Sequence, residues 1–164
     1  IQPHDPDSEI AATKWIGREI TLYGMSPHLH YRGSRVKYDV KYPDGSVETL
    51  LSVPNYNFDW QIMYTFAEPK TIPAGSVIMT EGAWDNSARN PYNPDPNATV
   101  KFGDQTIEEM FVCYFAYTVD PNTPYVAPPE PAEDEEDMGL RTGIPIDENT
   151  IVGGVWKVDR YRFR

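Results

Sequence analysis

Two histidines separated by a single residue are the clearest candidates for chemistry in this sequence. His28 and His30 flank Leu29. In an extended strand, residues two apart project from the same face, with their backbones about 6.5 to 7 Å apart. Two imidazoles in that arrangement can bind one metal ion together. Alternatively, both are ordinary, half-exposed strand histidines, and the H-x-H spacing by itself leaves both interpretations open.

Few other residues offer catalytic chemistry. The third histidine, His4, lies in a polar segment and is expected to be exposed to solvent. The single cysteine, Cys113, excludes a disulfide within the chain and a cysteine-based zinc site. It lies in an apolar run, where a buried thiol is expected. The sequence contains no G-x-S-x-G elbow, P-loop or G-x-G-x-x-G fingerprint, so the common hydrolase and nucleotide-binding motifs are absent from it.

The charge and hydropathy of the chain limit its partners and its location. The 164 residues include 14 Lys and Arg against 25 Asp and Glu, a formal net charge of −11. Nucleic acids and anionic membranes attract basic surfaces, so neither is expected as the main partner. No apolar run approaches the roughly 20 residues that span a bilayer. Because the sequence begins with Ile1, we expect a processed chain or a fragment of a longer one. A removed signal peptide would place the protein in the periplasm or outside the cell, which is the location we expect.

Hydrophobic and polar residues alternate along much of the chain, as they do in strands with one buried face. The clearest example runs from Val36 to Tyr42 and is followed by a Pro43-Asp44-Gly45 turn and a returning strand at Val47–Val53. The further strand candidates are 20–25, 61–66, 76–81, 98–102, 110–119 and 151–163. This pattern predicts an all-β fold, an antiparallel β-sandwich or jelly roll with long Asn/Pro-rich loops and no helix of three turns.

Composition divides the chain into three parts. Residues 1–119 carry the strand pattern and are predicted to form the sandwich. Residues 120–149 are rich in proline and then in acidic residues, which favours an extended linker. Residues 150–164 form a basic terminal strand or tail, which could pair with an edge of its own domain or add a strand to a partner protein.

Several short motifs surround the histidines in a definite order. They are GMSPHLHYRG at 24–33, LSVPNYNFDWQ at 51–61, DNS at 85–87, NPYNPDP at 90–96 and GDQTIEEM at 103–110. Together these motifs resemble the C-terminal catalytic domain of the copper type II, ascorbate-dependent monooxygenases, which include the peptidylglycine α-hydroxylating and dopamine β-monooxygenases. The sequences of the motifs are most similar to those of the bacterial branch of the family, and the resemblance extends from Leu22 to Val119.

The resemblance implies a copper site of two histidines and a distant methionine, which correspond here to His28, His30 and Met110. This set binds the one copper ion at which oxygen is activated in that family. Neutral imidazoles suit both oxidation states of copper, and a thioether favours Cu(I). Outside the family context, core packing is the preferred interpretation of Met110, because it begins an apolar run; the resemblance favours a ligand role instead.

The resemblance also implies a role for Tyr114, which matches a substrate-contacting tyrosine of the peptide-hydroxylating members. Two positions depart from that pattern. Ser26 stands where those enzymes have an arginine, and Val112 stands where they have an asparagine. Arginine is the natural partner of a peptide carboxylate, so a glycine-extended peptide substrate is not expected. Tyr114 could equally be a core aromatic.

The family carries a second copper in a separate domain, held by three histidines, and His4 alone cannot form that site. The sequence therefore supports two hypotheses. In the first, this domain is the oxygen-activating half of a copper monooxygenase, and a partner domain or subunit supplies the second copper or another electron donor. In the second, it is a non-catalytic accessory or scaffold subunit of a periplasmic or extracellular complex, assembled through the 150–164 tail, with a structural metal or none.

Overall fold

The computed structural model describes residues 1–129 and the backbone of a short strand at 152–154. The strands are β1 (Ser8–Ile16), β2 (Ile20–His28), β3 (Gly33–Lys41), β4 (Val47–Val53), β5 (Tyr64–Ile72), β6 (Ser76–Trp84), β7 (Val112–Val119) and β8 (Val152–Gly154). Helical structure is absent from these residues, and none of them belongs to a helix that could cross a membrane.

The strands form two antiparallel sheets of four strands each. One sheet has the order β1-β6-β3-β4, and the other has the order β5-β2-β7-β8. Their inward side chains share one hydrophobic core. For example, Tyr38 on β3 packs edge-on against Phe115 on β7, with ring centroids 5.6 Å apart. The predicted all-β antiparallel sandwich is therefore confirmed.

The β3–β4 hairpin forms where the alternating pattern predicted it. Val36, Tyr38 and Val40 are fully buried, whereas the residues between them are partly exposed. Gly45 adopts a φ of 86° in the connecting turn, a conformation that residues with a Cβ rarely adopt. The Pro-Asp-Gly sequence therefore specifies the turn, and the alternation specifies which face is buried.

Strand β1 was not among the predicted strands. Its inward positions after Ile10 are Ala12, Lys14 and Ile16. A small residue and a lysine at two of these positions weaken the period-two hydrophobic pattern. The strand forms because it pairs with β6 along nine residues, and the aliphatic stem of Lys14 can lie against apolar surface.

The strand predicted at 98–102 is wrong. Within it, Phe102 forms a single isolated bridge to Glu109. The amide of Val100 instead donates to the carbonyl of Ile1 at 2.9 Å, and the Ile1 ammonium donates back to Val100 O at 2.8 Å. Two other strands start later than predicted, β5 at Tyr64 and β7 at Val112.

The ends of the chain beyond β7 are described in part. Val152–Gly154 pairs antiparallel with residues 115–117 of β7, so these three residues add to the domain's own sheet. In the segment predicted to be a linker, Val126 donates its amide to Gly17 O at 2.7 Å and accepts from Trp15 Nε1 at 2.9 Å. The rest of the predicted linker and tail, residues 130–151 and 155–164, lies outside the described residues.

Candidate functional site

One end of the sandwich carries the segments that contain the candidate residues. The antiparallel registers place the end of β2, the start of β3, the end of β4 and the start of β7 at this end. Three connections therefore meet here, at residues 29–32, 54–63 and 85–111. We call this the loop-bearing end.

At the end of β2, buried residues alternate with the two candidate histidines. Pro27 and Leu29 are buried, Leu29 completely, and Leu29 belongs to the core. Because neighbouring residues of a strand point to opposite faces, His28, the last residue of β2, projects from the outer face of the β5-β2-β7-β8 sheet. His30 lies two residues beyond the strand and is buried. The rings of His28 and His30 meet edge to face, with centroids 5.2 Å apart and an interplanar angle of 84°. The structure therefore brings the two histidines together.

The His28 ring is oriented by Gln61. Its Nδ1 lies 2.5 Å from Gln61 Oε1, and Gln61 Nε2 donates to the carbonyl of Phe58 at 2.7 Å. Because Gln61 Nε2 donates to the carbonyl of Phe58, Gln61 Oε1 faces the histidine and accepts a hydrogen bond from Nδ1–H. In its neutral form, the His28 ring then carries its lone pair on Nε2, which is the nitrogen available to a metal ion.

His30 is oriented by a backbone carbonyl. Its Nδ1 donates to Glu108 O at 3.2 Å, and only 3% of the residue is exposed. Burial lowers the pKa of His30, and the nearby charge of His28 lowers it further, although the carbonyls of Glu108 and Gln105 act in the opposite direction. The lowered pKa favours the neutral form of the ring, which is the form that binds metals.

Met110 lies two residues before the start of β7 and is half-buried. Phe111 and Cys113, which flank the first residue of β7, belong to the core. The register pairs His28 with Val112 and ends there, so His30 and Met110 each lie two residues beyond the last paired position. In the described part of the chain, no three His, Cys, Asp or Glu side chains form a metal-binding group. A metal held by the two histidines would therefore take its third protein donor from a residue such as Met110.

Tyr114 is half-buried on the same outer face and pairs with Ser26 on β2. It lies four residues from Met110 along β7, about 13 Å along an extended strand. The pairing of Tyr114 with Ser26 is two residues along the strands from the pairing of Val112 with His28. This position makes it a neighbour of the histidine face and not part of the inward core.

A buried carboxylate fills the inner side of the same end. Glu109 Oε2 accepts the amide of His30 at 2.9 Å and Trp84 Nε1 at 2.8 Å, and Oε1 accepts the amide of Arg32 at 2.8 Å. The residue is 4% exposed. Burial raises the pKa of Glu109 to about 7, although the three N–H donors and the Arg32 guanidinium act to lower it.

Arg32 joins the connections of the loop-bearing end. Its guanidinium is almost fully buried and donates from Nε to Asn86 Oδ1 at 2.9 Å and from Nη1 to Ile107 O at 2.7 Å. Asn86 in turn donates from Nδ2 to the carbonyls of Gln2 and Ala98. One arginine therefore connects the segment after β2 with both halves of the 85–111 connection.

Sequence reasoning missed most of the groups that orient the histidines. Gln61 lies 33 residues from His28, and no spacing marked it as a partner. Among the acidic residues of the same connections, Asp85 caps a turn by accepting the amide of Ser87 at 2.8 Å, and Asp59 is exposed. His4 is exposed, as predicted, and its amide donates to Pro96 O.

No protein-family model matches the sequence, and no curated protein matches it. The contacts at the loop-bearing end and the motif resemblance are therefore the two kinds of support for a function of this chain.

Proposed function

We propose that this chain is a copper-binding domain and forms the oxygen-activating half of a two-copper monooxygenase. The observation that carries the proposal is the histidine pair. The rings of His28 and His30 lie 5.2 Å apart, and each ring donates Nδ1–H to an oxygen atom. That arrangement leaves both Nε2 lone pairs to a metal ion.

The donor set suits copper better than the other common metals. Zinc sites usually hold three or four His, Cys or carboxylate ligands, and such a group is absent from the described residues. Two imidazoles with a thioether form a set in which the sulfur selects for Cu(I). Met110, two residues beyond the last position at which β7 pairs with β2, is the residue that would supply the sulfur.

The surrounding residues hold these ligands in place. Gln61 fixes the ring of His28, and the carbonyl of Glu108 fixes the ring of His30. Tyr56 fixes the backbone between them, because its hydroxyl donates to Leu29 O at 2.7 Å and accepts from Leu29 N at 3.0 Å. Copper bound here would supply the one-electron chemistry that activates O₂ for hydroxylation of a substrate C–H bond.

The substrate would lie along the same outer face. Tyr114 is the proposed substrate contact on β7, and its partner on β2, Ser26, lies two residues before His28. Ser26 faces Tyr114, and a serine cannot form the two-pronged ion pair with a carboxylate that arginine forms. This arrangement favours a substrate without a carboxylate anchored at this position.

A second electron must come from outside the described site. His4 is exposed and is hydrogen-bonded through its backbone to Pro96 rather than placed beside the histidine pair. We propose that a partner domain or subunit supplies the second copper or another reductant. Function in the periplasm or outside the cell is part of the same proposal.

Copper titration of the purified chain tests the proposal. We expect one equivalent to bind to the wild-type chain and binding to be lost in His28→Ala and in His30→Ala. His4→Ala is the matched control, because His4 is an exposed histidine of another segment. If binding in the two test variants equals that of His4→Ala, the proposed site is wrong, and the accessory or scaffold role becomes the better explanation.

A further inference from the structure

We propose that Glu109 is a positioning residue that fixes the distance between the histidine pair and Met110. The inference rests on the proposed copper site. One carboxylate accepts the amides of both His30 and Arg32, at 2.9 and 2.8 Å. These amides belong to the segment that carries the histidines, whereas the carboxylate belongs to the residue directly before Met110.

We call the hydrogen bonds of the Glu109 carboxylate to the amides of His30 and Arg32 the clamp. The clamp occurs where the pairing of β2 with β7 stops. The β2–β7 pairing ends at His28 and Val112, so His30 and Met110 lie just outside the regular backbone hydrogen bonds. Beyond that point, the Glu109 side chain joins the two segments instead. Without it, the segment that bears His30 and the segment that bears Met110 would still be linked here by the His30 ring, which contacts Glu108 O, and by the Arg32 guanidinium, which donates to Ile107 O.

Glu109 is itself held on both sides. Its amide donates to Lys101 O at 3.1 Å, and its carbonyl accepts the amide of Gly103 at 3.1 Å. Trp84 on β6 donates its indole N–H to the same carboxylate at 2.8 Å. The clamp is therefore anchored to the other sheet, and its position does not depend on the histidine segment.

Two consecutive residues connect the clamp to the ligand. Glu109 is buried, whereas the next residue, Met110, is half-buried. A shift of the Glu109 backbone moves Met110 relative to His30 but leaves the pairing of His28 with Val112 unchanged. Loss of the clamp should therefore affect the thioether ligand more than the two imidazoles.

The first test measures copper affinity in both oxidation states. Glu109→Gln keeps the size of the side chain but replaces one acceptor oxygen with an NH₂ group, which cannot accept from the three donors. We expect Cu(I) affinity to fall about 10- to 100-fold, as for other groups that support metal ligands, and Cu(II) affinity to fall less. In a Met110→Leu background the same substitution should leave Cu(I) affinity unchanged.

The second test needs no metal. In the wild-type chain we expect a nuclear Overhauser effect between the Met110 methyl group and the His30 ring, and in Glu109→Gln we expect it to be lost. Glu48→Gln, which removes a carboxylate from an exposed ion pair with Lys70, is the control and should retain it. Trp84→Phe removes one of the three donors and should weaken the effect, so this variant decides the matter if Glu109→Gln does not fold.

The outcomes separate the two proposals. If folded Glu109→Gln keeps both the methyl–ring contact and the wild-type ratio of Cu(I) to Cu(II) affinity, the positioning role is overturned. If the wild-type chain binds no copper, the proposed function fails, and the methyl–ring contact alone decides whether Glu109 positions Met110.

Discussion

The two faces of the β2–β7 ribbon, at the loop-bearing end, contrast in how completely their polar groups are paired. On the inner face, the buried Glu109 carboxylate accepts three hydrogen bonds from N–H groups. The buried Arg32 guanidinium donates hydrogen bonds to two oxygen atoms. On the outer face, His28 and His30 each use Nδ1 and keep a second ring nitrogen. The comparison shows how a strand can combine both tasks, because alternate residues serve the fold and the ligand separately.

The largest expected effect lies on the inner face. Arg32→Met would leave Asn86 Oδ1 and Ile107 O without the guanidinium that donates to them. Each hydrogen bond to a charged group contributes about 1.5 to 3 kcal/mol, so we expect a loss of about 3 to 5 kcal/mol. Urea unfolding should show a loss of that size in the free energy of unfolding.

Arg35→Met is the matched control for Arg32→Met. Arg35 pairs with Asp7 and Glu9 on the surface, and its side chain is 40% exposed. Exposed ion pairs contribute about 1 kcal/mol or less. If the two variants lose the same stability, the inner network does not hold this end together as described.

A pH dependence follows from the same inner face. Raising the pKa of Glu109 from 4.5 to about 7 means that the folded protein binds this proton more tightly than the unfolded chain does. The contribution to stability, roughly 3 kcal/mol, is therefore fully present below pH 4.5 and is lost as the pH rises through about 7.

Unfolding free energies of the metal-free chain at pH 5 and pH 8 measure this contribution. We expect Glu109→Gln to reduce the stability at pH 5 relative to that at pH 8, because glutamine does not titrate. The lowered pKa of His30 acts in the opposite direction and is retained in this variant. An unchanged difference in that variant would assign the pH dependence to other groups.

A smaller effect is expected on the outer face at Gln61. Gln61→Leu removes the acceptor for His28 Nδ1, and loss of a group that orients a metal ligand typically weakens metal affinity about 10- to 100-fold. Gln61→Glu keeps an acceptor oxygen and should bind copper more tightly than Gln61→Leu does. Equal affinities in the two variants would contradict the orienting role of Gln61.

The smallest effect should be that of the outer face on stability. His28 is half-buried, and its hydrogen bond is to the exposed residue Gln61. We therefore expect His28→Ala to change the free energy of unfolding by about 0.5 kcal/mol or less. A loss above about 2 kcal/mol in urea unfolding would mean that this histidine serves the fold rather than a ligand.

The parts of the molecule that sequence predicted are those governed by local rules. The alternation in β3, the Gly45 turn and the proximity of His28 and His30 follow from spacing within a few residues. The Glu109 clamp joins residues 77 and 79 positions apart, and nothing local marks such contacts. The segment before Met110 forms a turn in which Glu108 donates its amide to Gln105 O, and Glu109 is buried.

X-ray absorption spectroscopy of the chain loaded with one equivalent of Cu(I) tests the central claim most directly. The outer face predicts two imidazole nitrogens and one sulfur around the copper, with the sulfur signal lost in Met110→Leu and retained in His4→Ala. A copper environment without sulfur in the wild-type chain, or a sulfur signal that persists in Met110→Leu, would contradict the assignment of His28, His30 and Met110 as one site.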